Sequence, residues 1–389
     1  MSFFEAIFRE RVIIVQKLIN EGADVNAIDE RGYTPLIYAV QTGNRGIVQL
    51  LITSGANVNL ASNNEQGTTP LINASRNRLP EIAKLLIDSG ANVNATEAHG
   101  NTALIYACRS SNSFLVKLLI DSGADVNMAD NAGNTSLIYA STMVPGNLEV
   151  LKNLIVAGAN VNATAPNGTT PLMLASLKGN LEMVKFLVSE GAGVNMVNNN
   201  GGTALIAASE NGNLKVVQFL VSEGADINMV NNNGTTALMW ASEKGKLEMV
   251  KILVSEGADI NMVNNIGNTA LMNASMFGRL KVVQFLVSKG ADVNMVNNNG
   301  RSALTITPDI HIIRFLGKVS RQGYLQDFQR VARTARQTAS SRHGQLEKYT
   351  PLPGDVARRI SRLSLNSFGK KKRMGGGVLD REISYLHSL

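Results

Sequence analysis

The chain has a single cysteine, four histidines and one tryptophan among its 389 residues. A lone Cys108 excludes an internal disulfide and fits a reducing compartment. His99, His311, His343 and His387 are scattered, with no Cys/His cluster at metal-ligand spacing, so no metal is expected. No run approaches the ~18 apolar residues that a membrane-spanning helix needs. The opening M-S-F-F-E-A-I-F-R-E-R sets acids and bases inside its apolar stretch and does not read as a signal peptide. The expected location is therefore intracellular, in cytoplasm or nucleus. Catalytic signatures are missing as well. Gly245-Lys246 is followed by Leu247, without the hydroxyl of a phosphate-binding loop, and no G-x-S-x-G elbow appears. Glu190, Glu223 and Glu256 recur at one position, roughly 10 Å apart by helix-packing distance, and read as solvated helix ends. No enzyme activity and no cofactor are expected.

What is present is apolar material, turns and repetition. Apolar residues make up 44% of the chain, enough for a sizeable core, while 35 glycines and many asparagines suit a backbone that turns often. Seven N-x-S/T triplets, from Asn73 to Asn273, are by-products of an Asn- and Thr-rich repeat and not a mark of secretion. The phrase G-A-x-V/I-N recurs with its glycine at 22, 55, 90, 123, 158, 191, 224, 257 and 290, in steps of 33 or 35 residues. A second phrase, T-x-L-x-x-A, keeps pace from Thr34 to Thr269. The two longer steps are insertions at turns, one between Asn59 and Thr69 and one at Met143-Val144-Pro145-Gly146.

Residues 168–196 typify the unit. Thr170 is a helix N-cap with Pro171 at the first helical position. Gly179-Asn180 breaks that helix, and Leu181, Val184, Leu187 and Val188 then recur at helical spacing. Gly191 lies just past the second helix, where a left-handed conformation is needed. The Asn-rich segment from Asn195 to Gly201 is suited to a tight turn. One such unit cannot bury its own apolar face, so stacking must supply the stability.

Helix, turn, helix and β-turn at a period of 33 resemble the ankyrin repeat. The residues that carry the resemblance are the T-P-L and T-A-L openings, the alanines that follow them and the G-A-D/N-V/I-N endings, over residues 3–316. The histidine usual in that family's T-P-L-H is replaced by Ile37, Ile72, Ile105, Ile138, Met173, Ile206, Met239 and Met272, which read as added apolar packing. The resemblance implies an all-α repeat solenoid of stacked helix-turn-helix units with β-turn fingers over residues 1–316. About nine repeats are expected, including a helix pair in residues 3–19 and a degenerate last copy at Ser302-Ala303-Leu304. It also implies a non-catalytic, monomeric scaffold that binds a protein partner through the concave face and the fingers.

Positions that vary between repeats are the expected contacts, since packing explains the constant ones. Just before the conserved-register alanine stand Tyr38, Asn73, Tyr106, Tyr139, Leu174, Ala207, Trp240 and Asn273, and near the end of that helix stand Arg76 and Arg109. Aromatic and arginine side chains anchor interfaces, which selects Tyr38, Arg76, Tyr106, Arg109, Tyr139 and Trp240 as protein-binding candidates. Packing against neighbouring helices is the alternative use of the same rings. Finger tips vary early in the chain but are near-copies from Met196 to Asn299, so partner choice is expected to lean on the first five repeats.

From residue 317 onward the composition changes. Residues 317–389 hold 15 Lys and Arg against 5 Asp and Glu, a net +10, and the preceding residues hold 22 against 25, a net −3. The overall +7 thus belongs to a basic, partly disordered C-terminal tail with short helices, and any nucleic-acid association is expected from the tail only. Leu325, Phe328, Val331, Ala332 and Ala335 form one apolar helical face, for docking on the last repeat or for a partner or membrane surface. Leu352-Pro353-Gly354-Asp355-Val356, continuing to Ile360, is similar to the opening of an F-box, which implies a substrate-recognition adaptor for a ubiquitin ligase, as in ankyrin proteins of large DNA viruses. Lys370-Lys371-Lys372-Arg373 resembles a nuclear-import signal or is simply solvated charge.

Overall fold

The computed structural model describes residues 1–142 and 148–320. The insertion at 143–146 and the tail features at 325–335, 352–360 and 370–373 lie outside these residues. Within them the chain is helical throughout, with only isolated bridges such as Thr96 to Thr102 and Val230 to Thr236 closing the bases of some fingers. The helices fall into ten pairs, from Phe3–Phe8 with Val12–Asn20 to Ala303–Ile306 with a helical segment at 310–320. Ten is one more than the glycine phrase indicates, because that phrase closes a pair and the last pair ends without it.

The local reading of the unit holds in detail. In the sixth pair, Thr170 is extended and its hydroxyl accepts a bond from the Met173 amide, opening the helix Pro171–Lys178. Gly179, at φ +73°, ends it, and the Asn180 side chain caps the next helix, Leu181–Ser189. The same threonine cap recurs at Thr34, Thr69, Thr102, Thr203, Thr236 and Thr269. Each cap satisfies one of the amides that the first helical turn leaves open.

First helices pack closely on one another along the stack, whereas second helices are more splayed, so the first helices line the concave side. The core runs between the two layers as one continuous apolar cluster. Ile37, Ile72, Ile105, Ile138, Met173, Ile206, Met239 and Met272, at the position where histidine is usual, are all buried in it or beside it.

Two polar ladders tie the pairs together. At the base of each finger, the asparagine that ends G-A-x-V/I-N reaches into the next unit. The Asn195 amide donates to the Gly224 carbonyl at 3.1 Å and its oxygen accepts from the Asp226 amide at 2.8 Å. The same two-way bond is made by Asn26, Asn59, Asn94, Asn127, Asn162 and Asn228. At the tips, Asn232 donates its backbone N–H to Asn200 at 2.8 Å and its side-chain amide to Asn199 at 2.9 Å, and Asn199, Asn265 and Asn298 do likewise. The tips approach so closely that a Cβ on Gly267, itself at φ +78°, would stand 2.8 Å from the Asn298 nitrogen. The near-identical tips of the later repeats are therefore fixed by mutual bonding. At one junction the tip ladder is interrupted: Pro166 occupies the donor position, has no N–H, and rests its ring against Gly133.

Candidate protein-binding face

On the concave layer the residue before the register alanine is partly buried, or fully so at Asn73 and Asn273, and exposed side chains such as Arg76, Arg109 and Glu210 stand in the last turn of the first helix. Four of the six sequence candidates come together there. Arg76, at the end of Pro70–Arg76, lies 4.8 Å from the centre of the Tyr106 ring and donates to the Tyr106 hydroxyl at 2.7 Å. Arg109, one repeat further on, lies 5.7 Å from the same ring and 5.1 Å from the centre of Tyr139. The result is a stack in the order Arg76, Tyr106, Arg109, Tyr139 across three consecutive pairs. Arg76 also donates to the Gln66 side chain at 3.3 Å. Both arginines are exposed, and among the described residues no carboxylate lies within salt-bridge distance of either.

The tyrosines are partly buried and polar at their ends. Tyr139 donates its hydroxyl to Asp130 at 2.6 Å. Burial, and then the bond to Asp130 and its charge, push this phenol above its ordinary range, with Arg109 working the other way. Tyr38 makes the equivalent bond to Asp29 at 2.7 Å but stands apart from the stack, its ring edge-on to Phe4 and Tyr33. Tyr38 is thus in contact with the aromatic rings of the first pair and the first finger. The Tyr–Asp bonds tie a first helix to the finger that precedes it, so they position the rings as well as satisfying them.

Trp240 belongs to a second feature, a groove of about 590 Å3 across the sixth to eighth pairs. Its cause is a difference in size at one register. Leu174 and Trp240 flank Ala207, the smallest of the three, and the gap over Ala207 is walled by Leu177 and Glu210, with Asn200 and Asn233 at the finger side. Lys244 sits 5.4 Å from the centre of the indole ring, and the indole N–H is covered without a partner. This groove lies in the half whose finger tips are near-copies, which a reading of tip variety does not point to. Its depth comes from the first helices, where Leu174, Ala207 and Trp240 differ although the tips do not.

Among the described residues no group of histidine, cysteine, aspartate or glutamate side chains could hold a metal ion. No described helix is long and apolar enough to cross a membrane.

A family model described as ankyrin repeats (3 copies) matches residues 3–97, 91–165, 142–231 and 223–297. The chain belongs to the ankyrin-repeat family. Short stretches of it are similar to very different curated proteins. Alpha-latrotoxin-Lg1a of Latrodectus geometricus is 40% identical over 55 residues, which are 14% of this chain and 4% of the toxin. Putative ankyrin repeat protein FPV244 of Fowlpox virus is 41% identical over 56 residues, 14% of this chain and 8% of that protein. The 2-5A-dependent ribonuclease of Mus musculus is 41% identical over 64 residues, 16% of this chain and 9% of the enzyme. The chain thus spans less than a tenth of each of these relatives. Ankyrin repeats are in general modules for protein–protein interaction, and that much extends to this array.

Proposed function

We propose that the array is a non-catalytic scaffold that holds a protein partner along its concave face, using the Arg76–Tyr139 stack and the Ala207 groove as two anchor zones. One observation carries this reading: several of the side chains that vary on the concave face are not consumed by the fold. Caps, the core and both asparagine ladders account for the repeated residues, whereas Arg76, Arg109 and Ala207 take no part in them. Tryptophan, tyrosine and arginine are enriched among the residues that carry most of the binding energy of an interface.

The reading is tested by placing a photo-crosslinking residue at Ala207 or Gln41 on the concave side, and at Lys215 or Lys281 on the opposite helices, in the full chain. Partner adducts are expected from the concave positions. Adducts confined to Lys215 and Lys281 would move the binding face to the other side. Trp240, as the sole tryptophan, offers an independent signal, since a partner entering the groove should shift its emission.

A second reading rests on charge. The net +10 of residues 317–389 supports a polyanion-binding role for the tail, in addition to whatever the array holds. The F-box-like run at Leu352, Pro353 and Ile360 supports, from sequence alone, coupling to a ubiquitin-ligase adaptor.

A further inference from the structure

From the Arg76–Tyr139 stack we infer that the first half of the concave face recognises an extended acidic segment of a partner, with two carboxylates three residues apart. This rests on the concave-face reading above and specifies the chemistry of the partner.

The argument begins with the two guanidinium groups. Each has five N–H donors. Arg76 spends donors on Gln66 and on the Tyr106 hydroxyl, both neutral acceptors, so its charge has no counterion. Arg109 lies between the rings of Tyr106 and Tyr139. Stacking on tyrosine limits the motion of a guanidinium plane while leaving its edge for hydrogen bonds, which lowers the ordering cost when a carboxylate arrives. The acids of the adjoining fingers, Glu97 and Asp130, are bonded to the Asn101 amide and the Tyr139 hydroxyl and keep their charge, but neither forms a salt bridge with Arg76 or Arg109. The stack is therefore a pair of held cations with no salt-bridge partner among the described residues, on an array of net −3.

Spacing selects the ligand. Both arginines lie against one ring, at 4.8 and 5.7 Å from its centre, so their own separation cannot exceed those two distances together. Arg76 and Arg109 occupy equivalent positions on adjacent packed helices, whose axes stand about 8–10 Å apart, within that limit. A polyproline-type chain rises about 3.1 Å per residue with three residues per turn, so side chains at i and i+3 share a face about 9 Å apart. Two glutamates in that register match the two guanidinium groups. A β-strand matches less well, since its i and i+3 side chains point to opposite faces and its same-face pair, i and i+2, is only about 7 Å apart. Carboxylates also suit the planar fork of arginine, which binds them in pairs of parallel bonds.

The test is fluorescence anisotropy with the full chain and short labelled peptides in a proline-rich frame. One peptide carries two glutamates three residues apart, a second carries them adjacent, and a third replaces both by glutamine. The first should bind most tightly at about 0.15 M salt. Arg76→Gln and Arg109→Gln should each weaken it about threefold to tenfold, and Arg109→Lys should restore only part of the loss. The basic tail is unchanged in these variants, so any loss of binding in them reports the stack and not the tail. Both arginines are exposed, and circular dichroism will show whether each variant keeps its helices. Binding indifferent to both substitutions, or to the spacing of the glutamates, overturns the inference, as does the absence of any binding. An oligothymidylate that binds more tightly through the same two arginines overturns it in favour of a nucleic acid. If crosslinks still form at Ala207 and Gln41 while the arginine variants hold the partner normally, this inference fails and the concave-face reading stands.

Discussion

Ser75, Ser176, Ser209, Ser242 and Ser275 sit at one register, directly after the packed alanine of the first helix, and each hydroxyl is buried without a partner. Elsewhere in the same register Val40 and Cys108 are fully buried, so the position accepts a small apolar side chain. A buried hydroxyl with no bond carries a desolvation cost, and alanine is the better helix former. Ser209→Ala is accordingly expected to leave stability unchanged or raise it by up to about 1 kcal/mol, measured by urea unfolding. Cys108 makes a second prediction. Burial pushes its thiol up to about 12, opposed by a weaker bond with Ser136. The folded chain should resist alkylation at pH 8 and react only as it unfolds. Because the unfolded thiol ionises near its ordinary value of 9.0, this residue withdraws stability as pH rises from there towards the folded value. Cys108→Ala should flatten that part of the alkaline loss.

At the scale of elements, the asparagine at each finger base is the joint between neighbours. Asn195→Ala removes a donor to Gly224 and an acceptor for Asp226, and should cost about 1–3 kcal/mol. Asn195→Asp keeps the acceptor and loses the donor, so a smaller effect on the urea midpoint should follow. Much of this architecture was legible in the chain itself: the threonine caps, the breaking glycines and the helical spacing all act within a few residues, and each stands where its phrase places it. The asparagine ladders were not legible, because each bond joins residues about thirty apart whose alignment exists only once the units stack. The Arg76–Tyr106–Arg109–Tyr139 stack escaped for the same reason. Its members were singled out by residue type, but their order and their lack of carboxylate partners are products of the concave packing. The groove over Ala207 was hidden more deeply, since a small residue gives no signal until larger neighbours frame it.

At the scale of the whole molecule, a nearly neutral array precedes a strongly basic segment. Retention of the full chain on immobilised DNA or RNA, if the tail binds polyanions, should fall steeply with salt and survive Arg76→Gln. Substituting Leu352, Pro353 and Ile360 should abolish adaptor pull-down under the ligase reading and leave salt-sensitive retention intact. Stability along the array is a sum over units and junctions, so a single weakened junction is felt locally before it is felt globally.

Pro166 is such a junction. With no N–H at that tip, the finger row is two shorter zippers that meet at a notch. A load drawn along the fingers would pass between the halves only through the helices and the Asn127 joint, which keeps its bonds to Gly158 and Asn160. The halves can therefore flex against each other at their tips without breaking a tip bond, and a partner long enough to touch both would act as a splint across the notch.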